Sequence, residues 1–242
     1  MTILSIADLH TYYGDSHVLQ GVTLDVEKGT VTAILGRNGV GKTTLCRSIS
    51  GLTPARAGRV TLNGEEIAQM PPHKIHRMGL GLVPQGRRIF SSLTVYENLA
   101  IALAPGSDIQ QILSIFPRLG ERRHNRGNEL SGGEQQMLAI ARALAAKPTV
   151  LIMDEPTEGL APMMIAEVAR VIRRLRDEGT TIVLAEQNAA FAVKVADYAH
   201  VMSKGKVVHS TDPATLWADD DIKTQLLGVP AGASERARDA SV

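Results

Sequence analysis

The sequence has one cysteine, Cys46. It cannot close a disulfide within itself, which excludes a disulfide-stapled scaffold and fits a reducing compartment. It has almost no charge imbalance: 26 Lys+Arg stand against 25 Asp+Glu, a formal charge of +1. Nothing in that balance supports non-specific attraction to nucleic acid. No run of about 18 apolar residues occurs, so no segment reads as a membrane span. The start, Met1-Thr2-Ile3-Leu4-Ser5, has neither a basic stretch nor a long apolar centre, and no secretory signal is expected there. The histidines, at 10, 17, 73, 76, 124, 200 and 209, fall in no metal-ligand spacing, and no structural zinc is expected. No internal repeat is visible. What is present is 242 residues with 44% hydrophobic content, enough for the core of one large domain or two small ones.

The chain is organised around Gly36-Arg37-Asn38-Gly39-Val40-Gly41-Lys42-Thr43-Thr44, which has the spacing Gly, four residues, Gly-Lys-Thr. A β-branched apolar run, residues 30–35, precedes it and a helical segment, residues 43–50, follows. Strand, loop and helix are the context this motif requires. Its glycines let the backbone take positive φ and approach a ligand closely. Successive N–H groups then form a nest for phosphate oxygens, and the helix start adds partial positive charge. Lys42 is placed to reach the β- and γ-phosphates, and the Thr43 hydroxyl to hold Mg²⁺. Cys46, in the following helix, reads as a small buried apolar group.

Around this centre the pattern alternates between sheet and helix. Strands are expected at 4–9, 18–26 and 30–35, with a turn at Tyr12-Tyr13-Gly14-Asp15. Either tyrosine could stack on a purine or pack beside the turn. Asn63-Gly64 marks a hairpin between 59–62 and 65–67. A short helix over 71–78 and a buried strand at 80–83 lead to a helical stretch, 94–144. There Thr94 with Glu97 forms a capping box for a helix over 95–103, Asp108 caps a helix to Phe116, and residues 121–129 read as a charged loop. The helix over 133–146 has Met137, Leu138, Ala141 and Leu144 on one face. Residues 149–153 read as a central parallel strand. Helix 162–178, strand 181–185, helix 188–196, strands 199–202 and 206–209, and helices 213–217 and 219–227 complete the order. Asp219-Asp220-Asp221 reads as a helix cap, not a metal site. Residues 229–242, rich in Ala, Gly, Ser and charge, are expected to be a mobile tail.

Two further stretches carry chemistry. Asp154 ends the apolar run 150–154 and can hold Mg²⁺ through its water shell; Glu155, one residue on, can polarise a water attacking the γ-phosphate. Leu130-Ser131-Gly132-Gly133-Glu134 opens a long helix as an anion site, or as a capping box that explains Ser131 and Glu134 but not the paired glycines.

With these motifs the chain resembles the nucleotide-binding subunits of ABC transporters, whose signature is Leu-Ser-Gly-Gly-Glu/Gln. The resemblance covers residues 2–228. It implies an α/β fold: a P-loop NTPase (RecA-like) core with an antiparallel β subdomain and an inserted α-helical subdomain at about 87–146. It implies ATP and Mg²⁺ as ligands. Gly36, Arg37, Asn38, Gly39, Gly41, Lys42, Thr43 and Thr44 would bind ATP, with Thr43, Gln85 and Asp154 about the metal and Tyr13 stacked on adenine. Ser131, Gly132 and Gly133 would close over ATP held by a second nucleotide-binding subunit. Gln85, as the Q-loop glutamine, would link the ATP state to the membrane partner, and Glu155 with Gln187 would position water. The implied partners are two transmembrane permeases and, indirectly, a periplasmic solute-binding protein, with no nucleic acid; the implied location is peripheral, on the cytoplasmic face of the membrane.

Two departures matter. Gln187 stands where the family usually has a switch histidine, and it can hydrogen-bond but carries no proton charge at neutral pH. The loop Thr157-Glu158-Gly159-Leu160-Ala161-Pro162 lacks the family's usual Asp. Those segments, with Ala185-Glu186-Gln187-Asn188 and Pro84-Gln85-Gly86-Arg87-Arg88-Ile89-Phe90, look like the ATPases of branched-chain amino-acid importers; urea and short-chain amide importers are close relatives. Arg87, Arg88, Ile89 and Phe90 are candidates for docking the membrane partner, or else a solvated loop with Phe90 tucked inward. A soluble ABC-type ATPase of DNA repair or translation is the rival of another class, but it would carry coiled-coil or zinc-bearing inserts or a second cassette.

Overall fold

The computed structural model describes residues 1–228; the tail expected at 229–242 lies outside the described residues. In chain order the elements are β1 (Thr2–Tyr13), β2 (Ser16–Glu27), β3 (Val31–Leu35), α1 (Lys42–Ile49), β4 (Ala57–Leu62), β5 (Glu65–Glu66), α2 (Pro72–Arg77) and β6 (Leu80–Val83). A run of helices follows: α3 (Val95–Ala100), α4 (Ile109–Ile115), α5 (Pro117–Glu121) and α6 (Gly132–Ala145). Then come β7 (Val150–Asp154), α7 (Pro162–Asp177), β8 (Thr181–Glu186), α8 (Ala189–Ala192), β9 (Tyr198–Ser203), β10 (Lys206–Thr211), α9 (Pro213–Ala218) and α10 (Asp220–Ile222).

Two sheets result. One is antiparallel, in the order β2-β1-β4-β5; the other is six-stranded, in the order β10-β9-β3-β8-β7-β6. Strands β9, β3, β8, β7 and β6 run parallel and β10 closes the edge antiparallel. The larger sheet is apolar on both faces because it is covered on both faces. Leu35, Leu151, Met153, Ile182 and Leu184 face the cluster built with the helices α3 to α7. Ile34, Val150, Ile152, Val183 and Ala185 face α1 and the antiparallel sheet. This alternation within each strand makes the molecule three-layered around β3, β7 and β8. All three strands end on the side where β3 turns into α1, which sets the place for a ligand.

The helix starts follow local side-chain chemistry. Thr94 accepts from Glu97 N at 3.1 Å while Glu97 accepts from Thr94 N at 2.7 Å. Asp108 caps α4 and Asp219 caps α10, so the triple aspartate is a cap. Several extents differ from the sequence expectation. Tyr12 and Tyr13 are in β1, because they pair with His17 and Ser16 across the hairpin. Helix α3 stops at Ala100, not Leu103. Residues 117–121 form α5, with Pro117 at the first turn where its missing N–H costs nothing. The helix expected over 188–196 is regular for only four residues and continues as tight turns.

Candidate nucleotide site

β3 delivers the chain into Gly36 beside the end of β9. A side chain at Gly36 would bring its Cβ to 2.6 Å from the Met202 carbonyl oxygen, so only glycine fits. Gly41, at φ +111, caps α1 in a region L-residues rarely enter. Arg37, Asn38 and Gly39 are exposed and Thr44 is buried. The Lys42 ammonium is nearly inaccessible and makes three contacts: to Gly36 O at 2.9 Å, to Arg37 O at 3.2 Å and to Glu155 Oε1 at 3.0 Å. An ammonium has three N–H donors, so its capacity is filled by the loop and by one acid.

The acids come from the end of β7. Asp154 is 3% exposed and accepts from the Thr43 hydroxyl at 3.1 Å. Burial pushes its carboxyl up to about 6, against the opposing effect of the Thr43 hydrogen bond. Thr43, Gln85 and Asp154 line one cavity of about 340 Å³, together with Cys46. Burial raises the Cys46 thiol well above its ordinary value, as suits an inert packing group. A hydroxyl, a carboxylate and an amide oxygen make a hard-oxygen set, and the carboxylate's burial without a cation is unfavourable, so the residues fit Mg²⁺. Gln85 donates to Glu158 Oε2 at 3.0 Å. Glu155 sits at φ +49, an uncommon backbone for a glutamate, and its N–H donates to Ala185 O at 2.9 Å. Glu155 and the exposed Gln187 share a second cavity, of about 460 Å³, with Glu158, Glu186, Leu227 and Gly228.

Ser131 lies apart from both cavities. It caps α6, accepting from Glu134 N at 3.3 Å while Glu134 accepts from Ser131 N at 2.9 Å. One of the glycines has an explanation inside the chain as well. A Cβ on Gly133 would lie 2.5 Å from Met164 Cγ; one on Gly132 would lie 2.9 Å from the Arg87 guanidinium, the end of a flexible side chain that can swing aside, so the packing explanation holds for Gly133 alone. Ser131, Gly132 and Gly133 line a third cavity, of about 620 Å³, with Leu160 and Met164 and with no residue of the phosphate loop.

A family model described as ABC transporter matches residues 19–158. The chain belongs to the ABC transporter family. It is 42% identical to the high-affinity branched-chain amino acid transport ATP-binding protein BraG of Pseudomonas aeruginosa, over 93% of this chain and all of that relative. It is 37% identical to the probable branched-chain amino acid transport ATP-binding protein LivF of Archaeoglobus fulgidus, over 94% of this chain and 99% of the relative. Among solved structures it resembles a nucleotide-free ATP-binding cassette from an ABC transporter, with a TM-score of 0.84 and 27% identity over 92% of this chain and 97% of that one. The chain is an ATPase of this family, its hydrolysis coupled to transport. Among the described residues no helix is long and apolar enough to cross a membrane.

Within this ABC ATPase the two tyrosines separate clearly. Tyr12 is occupied: its ring stacks on His17 at 4.1 Å and the Arg56 guanidinium lies 4.4 Å above it. Tyr13 is 48% exposed, and its hydroxyl reaches the Thr53 hydroxyl at 3.4 Å. Phe90 is not tucked inward: it is 48% exposed, with Arg142 5.0 Å from its ring centre. Two residues of the site escaped sequence reasoning. Glu158 partners Gln85, and Glu186 accepts three hydrogen bonds beneath Glu155 and Gln187. The one available signal for Glu186 was an acid closing an otherwise apolar strand.

Proposed function

We propose that this chain is the ATPase subunit of an importer for branched-chain, hydrophobic amino acids. It would sit peripherally on the cytoplasmic face of the membrane, beneath two permeases and served indirectly by a periplasmic solute-binding protein. Residues 1–228 would act as one ATP-binding domain, with the helical insert at about 87–146. The chemistry is carried by one observation: Lys42, Thr43, Asp154 and Glu155 meet where β3 and β7 end, in contact pairs of 3.0–3.1 Å. The solute reading rests on the likeness to the two branched-chain amino acid transport ATP-binding proteins.

In this reading the phosphates of ATP lie along the N–H groups of residues 36–44. The Lys42 ammonium exchanges a loop carbonyl or Glu155 for a phosphate oxygen. Thr43, Asp154 and Gln85 would hold Mg²⁺, which when bound offsets negative charge on the phosphoryl oxygens. Glu155 accepts a proton from the attacking water, and Gln187 orients that water without exchanging a proton. Tyr13 stacks on adenine. Ser131, Gly132 and Gly133 complete the pocket of a second nucleotide-binding subunit, which agrees with their separation from the phosphate loop of their own chain. Arg87, Arg88, Ile89 and Phe90 would meet the membrane partner, the exposed Phe90 ring supplying apolar area.

The test is uptake in the source organism. Deleting the gene should abolish high-affinity uptake of labelled leucine, and a plasmid copy should restore it, whereas a Glu155→Gln copy should not. Normal leucine uptake with lost urea or amide uptake would overturn the solute. Unchanged uptake of all three would overturn the importer reading.

A further inference from the structure

Strand β8 ends in a buried carboxylate that the family chemistry above leaves without a task. Glu186 is 1% exposed. Its Oε1 accepts from the Thr157 N–H at 3.1 Å and from the Thr157 hydroxyl at 2.7 Å. Its Oε2 accepts from the Asn188 N–H at 3.1 Å. Thr157 is two residues past Glu155, and Asn188 is one residue past Gln187. Both oxygens of one rigid group are thus committed, each to a different loop.

We propose that Glu186 is a positioning residue for hydrolysis, its carboxylate tying the loop that carries Glu155 to the loop that carries Gln187.

Three observations support a positioning role over a merely structural one. First, burying a carboxylate is unfavourable, and burial does raise this one's pKa. An alcohol or amide at a strand end could satisfy one loop more cheaply. Only a group that accepts at both ends satisfies two. A glutamine here would turn an amide donor toward either the Asn188 N–H or the Thr157 donors, so one loop would lose its partner. Second, the tie acts where the backbone is strained. Glu155 holds φ +49, a left-handed conformation that a non-glycine residue keeps only where its surroundings enforce it. Enforcement comes from consecutive residues of β8: Ala185 O takes the Glu155 N–H at 2.9 Å, and Glu186 takes Thr157. Third, Asn188 is itself ordered by the tie and uses its own side chain to cap α8, accepting from Phe191 N at 3.1 Å. Gln187 therefore sits between two fixed points. Glu155, Glu186 and Gln187 all border the same cavity of about 460 Å³.

This inference rests on the reading of Glu155 as the residue that activates water. The experiment separates the two. ATP affinity and single-turnover hydrolysis are measured on the full chain, alone and in the assembled transporter, for wild type, Glu155→Gln, Glu186→Gln and the double variant. Glu186→Gln should leave ATP affinity within about twofold and slow hydrolysis at least tenfold, about 1.4 kcal/mol of barrier. In the Glu155→Gln background it should cause no further slowing, because both changes remove the same placed group. Thr157→Val, which deletes one of the three donors, should slow hydrolysis less, and Thr157→Ser should restore it; this pair keeps the test open if Glu186→Gln does not fold. A Glu186→Gln rate within twofold of wild type overturns the proposal. So does a full additional tenfold loss on Glu155→Gln, which marks an independent structural effect. If Glu155→Gln alone hydrolyses ATP at the wild-type rate, the reading of Glu155 fails and the proposal falls with it.

Discussion

Lys42 has three donors and three acceptors, and that saturation decides what its substitution does. A phosphate oxygen can gain the ammonium only by displacing Gly36 O, Arg37 O or Glu155 Oε1. Glu155 is the acceptor that competes by charge. Lys42→Ala should therefore weaken ATP binding at least tenfold, since a point charge aimed at phosphate is lost. Glu155→Gln should tighten binding severalfold, since it removes both the competing partner and a negative charge near the phosphates. Calorimetric titration of each full-length variant checks both directions; equal affinities in all three would refute the competition. At this scale the sequence named Lys42, Thr43, Asp154 and Glu155 correctly as neighbours, because a motif of fixed spacing lies on a strand, turn and helix whose geometry leaves little choice. It could not name Glu186 as their support. An acid at a strand end is ordinary until the strand's neighbours are known.

At the scale of elements, two devices were partly legible. The capping box of α6 could be read from Ser131 and Glu134, but the reason for Gly133 could not, since Met164 comes from α7, thirty residues on. Gly133→Ala places a methyl 2.5 Å from Met164 Cγ. Overpacking of this kind costs about 1–3 kcal/mol, so Tm should fall by roughly 2–10 °C. The loss should largely disappear in Gly133→Ala/Met164→Ala, read by thermal denaturation; an equal loss in both backgrounds would show that the contact is not the cause. The β9–β10 pair holds a titrating group. His200 is 5% exposed, its Nδ1 lies 2.8 Å from the Ser210 hydroxyl, and Asp25 is the acid that favours its charged form. Burial nevertheless lowers its pKa below the ordinary 6.5. Below that pH the unfolded chain takes up a proton that the folded chain refuses, so stability falls with pH. The raised carboxyl of Asp154 acts oppositely over the same range, since there the folded chain takes up the proton, so the check is a difference: from pH 7 to pH 5 the urea midpoint of His200→Gln should move upward relative to that of wild type. A difference that stays constant over that range would remove His200 as the source.

At the scale of the whole molecule, the phosphate loop and the serine-led helix open into different cavities. Ser131→Arg should therefore leave the ATP affinity of the isolated chain within about twofold. It should cut hydrolysis by the assembled transporter at least tenfold, beyond what loss of an N-cap, about 1 kcal/mol of helix stability, accounts for. Weakened ATP binding by the isolated chain would instead put Ser131 in its own subunit's pocket. The sequence by itself determined the layered α/β class, the order of elements and the glycine-rich loop between β3 and α1, because hydrophobic period, caps and glycine spacing are local and survive without a partner. Only the tertiary structure decided that Tyr12 is occupied while Tyr13 is exposed, that Gly133 of the serine-led helix lies tight against Met164, and that one buried carboxylate joins two loops thirty residues apart. Each of those depends on which distant backbone the fold brings within hydrogen-bonding or van der Waals reach, and a one-dimensional pattern does not encode that distance.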